Sequence, residues 1–253
     1  MSSGLTIEGA GLSEAWLAAC RALLVRSPHE ASHLVVRMSD PLPEDPAIRS
    51  GVDDLLAAAR HQPVVEVRNT IFPAALAEEF TDPDELITEY LEDYETVRAL
   101  GSPQGTYFGR ICEYPHPDGS VTPQLSSTVA KLNAARTGSR WRATYELNIY
   151  AEHKDINKKR GFFPCMAHLS FQLGVGDGGM DQLDCLALYR YQDLMLKGYG
   201  NYLGLAELQR YIATATGFLL GELTVVAGHA HLSLNKQARA GLGALLDALP
   251  PDS

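Results

Sequence analysis

Cys165 is the residue whose type and setting most directly suggest chemistry. It follows Pro164 in the segment FFPCMAHL, at the start of what reads as a buried strand. A cysteine there is either a small apolar filler or a nucleophile, because the thiol packs well when neutral and reacts when ionised. Further polar residues interrupt buried-looking segments after it, namely Arg190, Asp193, Asn201, His229 and His231.

Each of these residues also has a purely structural interpretation. An unpaired cysteine in an apolar strand is more often inert than reactive. An arginine beside tyrosines at a strand end usually extends to solvent. Asn201 can simply cap its helix, and His231 can be a hydrogen-bonded histidine of the core. Taken singly, none of them identifies a function.

The elements that position these residues are predicted from hydrophobic spacing. In the first half, helices are predicted over 12–25 (capped by Ser13), 51–60, 82–100 and 126–138 (ending at Gly138), and strands at 33–38 and 63–69. The segment 102–120 is rich in Gly and Pro, so we expect a loop with room for one short strand.

The second half is richer in strand signals. Strands are predicted at 140–152 and 221–235, a helix over 200–217 capped by Asn201 or Gly200 and closed by Gly217, and a terminal helix over 236–249. Segment 165–191 reads as two long strands joined by a Gly/Asp-rich turn at 176–179, which is a hairpin signal. Strands and helices mix without a βαβ alternation, so we expect an α+β or mixed-sheet single domain.

Composition restricts the class of protein and of ligand. The chain has 253 residues, 45% hydrophobic and 21% charged, which is ordinary for a soluble globular protein with a sizeable core. No apolar run approaches the length of a membrane span, and the start lacks signal-peptide features, so we expect a cytoplasmic location and no membrane partner. The net charge of −10 argues against a nucleic-acid polymer, whereas a mononucleotide needs only a few local arginines.

The cysteine pattern favours free thiols. The four cysteines stand far apart in the sequence, without a CxxC spacing. We therefore expect neither disulfides nor a zinc site, and no metal at all.

Taken together and in this order, the polar residues resemble the thymidylate synthase family and its nucleotide hydroxymethylase relatives. The matching segments are FFPC (162–165), LDCLALYRYQD (183–193), GNYLGLAELQRYIATATG (200–217) and GELTVVAGHAHLSLN (221–235), and SRWR (139–142) resembles the family's Ser-Arg-Arg element. The resemblance is clear over residues 124–235 and vague before them. It implies a single α+β domain over residues 1–253, with a large mixed sheet packed by helices and a homodimer formed through the sheet.

The resemblance implies a covalent mechanism. Cys165 would add as a thiolate to C6 of a pyrimidine, which makes C5 nucleophilic toward a one-carbon unit. The implied reaction is methylation or hydroxymethylation of a pyrimidine nucleoside monophosphate, with 5,10-methylenetetrahydrofolate as donor. The family also uses a glutamate on an early helix for proton transfer. Glu78 and Glu79 are the candidates, no spacing selects between them, and a solvated acidic face is the alternative for both.

The resemblance also implies which residues bind the phosphate and the base. Arg190 matches the arginine that holds the phosphate, as a guanidinium can in a bidentate way. Arg140 resembles the arginine that the family donates across the dimer interface to the same phosphate. Asn201 matches the asparagine that hydrogen-bonds the edge of the pyrimidine. An asparagine at this position favours uracil as the base.

Three further residues complete the implied nucleotide site. Asp193 matches the aspartate that orders water near base and folate, and His231 the histidine that contacts the sugar. Ser233 stands where a tyrosine normally shares that sugar hydroxyl, so ribose and deoxyribose stay open alternatives.

Several positions depart from the family pattern. Tyr191 replaces a serine that helps to bind phosphate, and Trp16 and Trp141 are the only tryptophans available to line a folate pocket. The C-terminal sequence lacks the short apolar tail that closes over folate, which favours hydroxymethylation over methylation with hydride transfer. Two alternatives remain open: a protein that binds a nucleotide without methylating it, and an enzyme that acts on another substrate.

Overall fold

The computed structural model describes residues 4–101, 104–157, 164–233 and 236–247. The helices are α1 (Leu12–Leu24), α2 (Pro46–Ala58), α3 (Val64–Ile71), α4 (Ala74–Glu79), α5 (Pro83–Glu92), α6 (Tyr94–Gly101), α7 (Tyr107–Cys112), α8 (Gln124–Ala135), α9 (Glu152–Asp155), α10 (Tyr199–Thr216) and α11 (Lys236–Asp247). The strands are β1 (Leu5–Gly9), β2 (Glu30–Met38), β3 (Tyr114–Pro115), β4 (Val121–Thr122), β5 (Glu146–Asn148), β6 (Met166–Val175), β7 (Asp181–Asp193) and β8 (Leu219–His231). A π-helical turn, Leu194–Gly198, joins β7 to α10.

A six-stranded mixed sheet organises these elements, in the order β1-β2-β8-β7-β6-β5. The pairs β1·β2 and β7·β8 are parallel, and the pairs β2·β8, β6·β7 and β5·β6 are antiparallel. Strands β3 and β4 form a separate small hairpin. The expected α+β class with a large mixed sheet packed by helices is therefore confirmed.

Alternating burial shows which face of the sheet the helices cover. On β7, Leu183, Ala187 and Tyr189 are buried, whereas Leu186 and Leu188 are each 39% exposed. Side chains alternate between the two faces of a strand, so one face packs against the helices and the other is open. No helix among the described residues is long and apolar enough to cross a membrane.

The hairpin that carries the candidate site forms as predicted. Strands β6 and β7 pair antiparallel from Val175 opposite Asp181 back to Met166 opposite Tyr189. In the connecting turn, Gly178 and Gly179 have φ of 72° and 77°, a left-handed conformation that glycine adopts without steric cost. The Gly/Asp-rich signal thus located the turn correctly.

The strand predicted at 63–69 is wrong, because this segment forms helix α3. Its β-branched residues favour a strand locally, yet Val64, Val67 and Ile71 are buried on one side of a helix. Two glycines of α10, Gly200 and Gly204, allow the close approach: a Cβ on Gly204 would lie 2.8 Å from the backbone oxygen of Arg68. Tertiary packing outweighed the local preference.

Several boundaries and caps also differ from the predictions. The helix expected over 82–100 divides into α5 and α6 at Asp93, helix α7 occupies part of the expected loop 102–120, and the strand expected at 140–152 is limited to β5. Ser13 does not cap α1: it is buried, and its hydroxyl bonds the Tyr199 hydroxyl at 2.8 Å. Helix α10 has Gly198 as its N-cap instead of Asn201 or Gly200, and α8 ends before Gly138.

Gln124, the first residue of α8, covers the outer edge of the sheet. Its side-chain amide donates to the carbonyl of Asn148 at 2.8 Å and accepts from the Asn148 N–H at 2.8 Å. The amide therefore occupies the place of a seventh strand, which satisfies backbone groups that an edge strand leaves unpaired.

Candidate functional site

Cys165 lies at the junction of the segment before β6 and the end of β7. The backbone N–H of Arg190 donates a 2.9 Å hydrogen bond to the carbonyl of Cys165. A guanidinium nitrogen of Arg190, Nη2, donates to the carbonyl of Pro164. The thiol and the guanidinium therefore belong to one local structure, although they are far apart in sequence. Phe162 and Phe163, part of the matched FFPC segment, lie outside the described residues.

A β-bulge in β6 brings Tyr150 to the same place. Met166 pairs with Tyr189, but His168 pairs with Leu188, so Ala167 is an extra residue on its strand. Its carbonyl accepts hydrogen bonds from the N–H groups of both Ile149 and Tyr150, each at 3.0 Å. The Tyr150 ring then lies 4.7 Å from the Arg190 guanidinium carbon, a cation–π contact. Such bulges often redirect a side chain next to a functional site.

Burial and charge act on the Cys165 thiol in opposite directions. Burial raises its pKa, while the positive charges of Arg190 and Lys197 lower it. The net result is a pKa above the ordinary value. Arg190 lowers the pKa of the thiol as expected, but the effect of burial is larger. The Tyr107 hydroxyl, whose own pKa is raised by burial, also contacts the backbone of Cys165 and Met166.

Asp193 ends β7 and fixes the following turn. Its carboxylate accepts from the N–H groups of Met195 and Leu196, both at 3.1 Å, and so caps the π-helical turn. The same carboxylate lies 3.3 Å from Nε2 of His231. Burial alone would raise the pKa of Asp193, but the hydrogen bonds from His231, Ser233 and the backbone lower it overall. The hydrogen bond with Asp193 raises the pKa of His231.

His231 is the centre of a polar cluster that also contains Tyr191 and Ser233. Its Nε2 lies 3.0 Å from the Ser233 hydroxyl and 2.9 Å from the Tyr191 hydroxyl. The Tyr191 ring also stacks on His229, with centroids 5.5 Å apart and an angle of 12° between the planes. The side chain that departs from the family pattern thus contacts the residue expected to bind the sugar.

Asn201 lies in the first turn of α10 and is 5% exposed. Its side-chain amide makes no hydrogen bond with any other residue that the structure describes. The position is thus compatible with reading the edge of a base.

Arg140 lies far from Cys165 of the same chain. It forms a two-point ion pair with Asp181, with Nη1 and Oδ1 2.8 Å apart. Asp181 begins β7 and Arg190 is near its end, so about 30 Å of strand separates the two arginines. The structure therefore does not bring Arg140 to the other site residues within one chain.

Glu78 and Glu79 end helix α4. Glu78 lines a cavity of about 420 Å³ with Phe72, Arg210 and Tyr211. Arg210 is more than two turns along α10 from Asn201, about 14 Å at the helical rise. The cavity beside Glu78 therefore lies along α10 away from Asn201.

The sequence analysis missed Lys197, Glu66 and Tyr150. The Lys197 ammonium interacts electrostatically with Cys165, Asp193 and Glu66, and its Nζ donates to Oε1 of Gln62. A sequence signal was available for Lys197, which lies between Asp193 and Asn201, two matched positions. No comparable signal pointed to Tyr150, because a bulge places it.

Neither tryptophan forms an aromatic wall for a folate. Trp16 is fully buried in the core, where its Nε1–H donates to the Leu194 carbonyl at 2.8 Å. Trp141 is 71% exposed, next to Arg140. The two tryptophans therefore do not fit the folate pocket that the resemblance implies.

Two comparisons with known proteins relate this chain to one family. A family model described as thymidylate synthase matches residues 79–242, which include every matched site position from Arg140 to Ser233. A thymidylate synthase of Cereibacter sphaeroides (strain ATCC 17029 / ATH 2.4.9) is 30% identical over 156 residues. That match covers 60% of this chain and 49% of the relative, so the chain spans about half the length of the curated relative that it matches.

Proposed function

Because this chain belongs to the thymidylate synthase family, we propose that it transfers a one-carbon unit to C5 of a pyrimidine nucleoside monophosphate. The observation that supports this most is the position of Cys165 beside Arg190, with the Arg190 N–H 2.9 Å from the Cys165 carbonyl oxygen. A nucleophile next to a phosphate-binding group is what addition to a nucleotide ring requires.

The proposed reaction begins at the Cys165 sulfur. The thiolate forms a bond to C6, and the electrons of the C5–C6 double bond move toward the ring carbonyl, so that C5 becomes nucleophilic. The proposed donor is 5,10-methylenetetrahydrofolate, which would supply a methylene unit to C5, where loss of the C5 proton and of the folate amine would leave an exocyclic methylene group. A hydride from the folate, itself oxidised to dihydrofolate, would give the methyl compound, whereas addition of water would give the hydroxymethyl compound. Departure of the Cys165 thiolate from C6 then restores the double bond.

The ligand-binding roles follow the placement of the other residues. Arg190 binds the 5′-phosphate, since its guanidinium has donors beyond the one that contacts Pro164. Asn201 binds the base edge through an amide that the described residues leave free. His231 and Ser233 bind the sugar, and Asp193 holds His231 in place at 3.3 Å. Glu78 and Glu79 stay candidates for proton transfer.

The proposal includes a homodimer that shares its active sites. Arg140 is about 30 Å of strand from Arg190, so it can contribute to a phosphate site only from a second chain. The open face of the sheet, with Leu186 and Leu188 each 39% exposed, is the proposed interface. The face is mixed in character, because Ser170 and His168 of β6 lie opposite Leu186 and Leu188. Sheet-on-sheet packing would bury the two leucines.

One observation favours the alternative of nucleotide binding without methylation. Burial raises the pKa of Cys165, and a thiol that stays protonated does not add to a ring. A ligand that reorganises the site would have to favour the thiolate for the leading proposal to hold.

Tritium release from C5-labelled dUMP, UMP, dCMP and CMP separates the two functions. Addition of Cys165 to C6 labilises the C5 hydrogen, so the wild-type chain should release tritium from at least one nucleotide. Cys165→Ser should bind that nucleotide with similar affinity and release none. Binding without release by the wild type would support the alternative, and neither binding nor release would refute both functions.

A further inference from the structure

The segment that follows β5 is anchored by one buried carboxylate. Asp155, the last residue of α9, has a side chain that is 0% exposed. Its Oδ2 accepts from the N–H of Ala151 at 2.8 Å, and its Oδ1 accepts from Nη2 of Arg110 at 3.0 Å. Arg110 belongs to α7, and its own side chain is 12% exposed. Removing one partner of such a buried pair leaves an uncompensated charge, so the pair fixes residues 151–155 against α7.

Tyr150 directly precedes this anchor, and its backbone is bonded on both sides. Its N–H donates to the Ala167 carbonyl at 3.0 Å, and its carbonyl accepts from the Tyr114 hydroxyl at 3.1 Å. The carbonyl oxygen of the preceding residue, Ile149, lies 3.5 Å from Nη1 of Arg110. Contacts from α7, β3 and β6 therefore fix the main chain at Tyr150, and the direction of its ring depends only on the side-chain torsions.

The Tyr150 ring lies against Arg190, with 4.7 Å between the ring centre and the guanidinium carbon. Nη2 of the same guanidinium donates to the Pro164 carbonyl. Arg190 is exposed as a residue, and an arginine side chain in solvent occupies many rotamers. The ring and the carbonyl therefore hold an otherwise unrestrained guanidinium beside the peptide bond that joins Pro164 to Cys165.

We propose that Tyr150 is a positioning residue, which holds the Arg190 guanidinium beside Cys165 so that it is oriented before an anionic substrate group arrives. Such pre-organisation raises affinity, because less rotamer freedom is lost on binding. The proposal deepens the proposed function and rests on it only in naming the anion, the phosphate of a nucleotide. The placement of the ring, the guanidinium and the Cys165 segment is testable without any nucleotide.

Alkylation of Cys165 by two reagents of different charge measures the positive charge next to its sulfur. Iodoacetamide is neutral and iodoacetate is anionic, and with both reagents the thiolate forms a bond to carbon and iodide leaves. Both react with the same thiolate, so the ratio of the iodoacetate rate to the iodoacetamide rate does not depend on how much thiolate is present. The other cysteines, Cys20, Cys112 and Cys185, are buried, and peptide mass spectrometry identifies the labelled position.

Arg190→Gln should lower this ratio by up to about fivefold, which is the effect of one charge at contact distance in water. Tyr150→Leu should lower it by about twofold or more, since a cation–π contact favours the held position of the guanidinium by about two- to fivefold. Tyr150→Phe keeps the ring face and should retain the wild-type ratio. In the double variant Tyr150→Leu/Arg190→Gln the ratio should equal that of Arg190→Gln, because the ring acts only through the guanidinium.

The control is Arg98→Gln, which removes an arginine paired with Glu95 on α6 and should leave the ratio unchanged. A wild-type ratio in Tyr150→Leu would overturn the proposal. Additive losses in the double variant, or an equal loss in Tyr150→Phe, would overturn it as well, because the ring would then not act through Arg190. If circular dichroism shows that Tyr150→Leu fails to fold, Tyr150→Met is measured in its place.

Nucleotide binding separates this proposal from the proposed function. Titration calorimetry uses the monophosphate among dUMP, UMP, dCMP and CMP that the wild type binds, together with its matching nucleoside. Tyr150→Leu should weaken binding of the monophosphate by about two- to fivefold and leave binding of the nucleoside unchanged. An equal loss for both ligands would contradict positioning through Arg190. A chain that binds none of the four nucleotides but shows the lowered alkylation ratio in Tyr150→Leu would refute the proposed function alone.

Discussion

Arg190 holds the backbone of Cys165 directly, through a 2.9 Å hydrogen bond from its N–H to the Cys165 carbonyl. Its guanidinium binds the preceding carbonyl, that of Pro164. One residue therefore fixes the segment that carries the candidate nucleophile and provides a positive charge that acts on its thiol. An anion bound by Arg190 would therefore affect the position of the thiol.

Arg190→Ala should weaken binding of a nucleoside monophosphate by about 10- to 100-fold, because charged hydrogen bonds contribute about 1.5–3 kcal/mol. Binding of the matching nucleoside without phosphate should change little. Isothermal titration calorimetry with both ligands measures the difference. Arg98→Ala is the control, since Arg98 pairs with Glu95 on α6. An equal loss for nucleoside and monophosphate would show that Arg190 acts only by supporting Pro164.

The Asp193–His231 pair should stabilise the fold most between about pH 4 and pH 6.5, the range between the two unfolded-state pKa values. The folded pKa of His231 is raised, so its contribution is complete below the unfolded value and is lost as the pH rises through the folded value. The folded pKa of Asp193 is lowered, so its contribution is lost as the pH falls through that value.

His231→Gln should therefore lower the free energy of unfolding more at pH 5.5 than at pH 9. The difference should be about 1 kcal/mol or less, because solvent partly screens the pair. Urea denaturation at both pH values measures it, with the exposed His61→Gln as control. The ion pair would be refuted as a stabilising interaction by an effect that is the same at both pH values.

Gly204→Ala should destabilise the fold by about 1–2 kcal/mol. The new Cβ would lie 2.8 Å from the Arg68 oxygen and 2.9 Å from the Ile71 Cβ, so α3 and α10 would have to separate. This cost exceeds the gain of about 1 kcal/mol in helix propensity. Gly243→Ala in α11 has no atom within 4 Å and should be neutral or stabilising. Urea denaturation of both variants gives the comparison, and equal stabilities would contradict close packing of α3 on α10.

The double variant Leu186→Asp/Leu188→Asp should convert the proposed dimer into a monomer. Burial of one leucine contributes about 1.5–3 kcal/mol, so two substitutions in each subunit should raise the dissociation constant by at least about 100-fold. Sedimentation velocity measures the change, and Val25→Asp, at a site that is 87% exposed, is the control. A wild-type chain that stays monomeric at all concentrations would rule out the interface and with it any role of Arg140 in the site.

The strands and the turn that carry the candidate site residues were predictable from sequence, because the signals for them are local. Pro164-Cys165, the spacing from Arg190 to Asp193, and the glycines of the 176–179 turn lie within single elements or one hairpin. Hydrophobic alternation determined the long strands, and Gly217, with φ of 69°, ends α10 as predicted. The expectation of one domain over residues 1–253 stays a prediction.

The sequence by itself determined which residue types are available for chemistry and on which strands and helices most of them lie, since short-range periodicity and turn residues specify such elements. The tertiary structure decided that 63–69 is a helix and that the Ala167 bulge brings Tyr150 to Arg190. These outcomes depend on packing between segments distant in sequence, where the burial of a whole face outweighs the preference of any single residue.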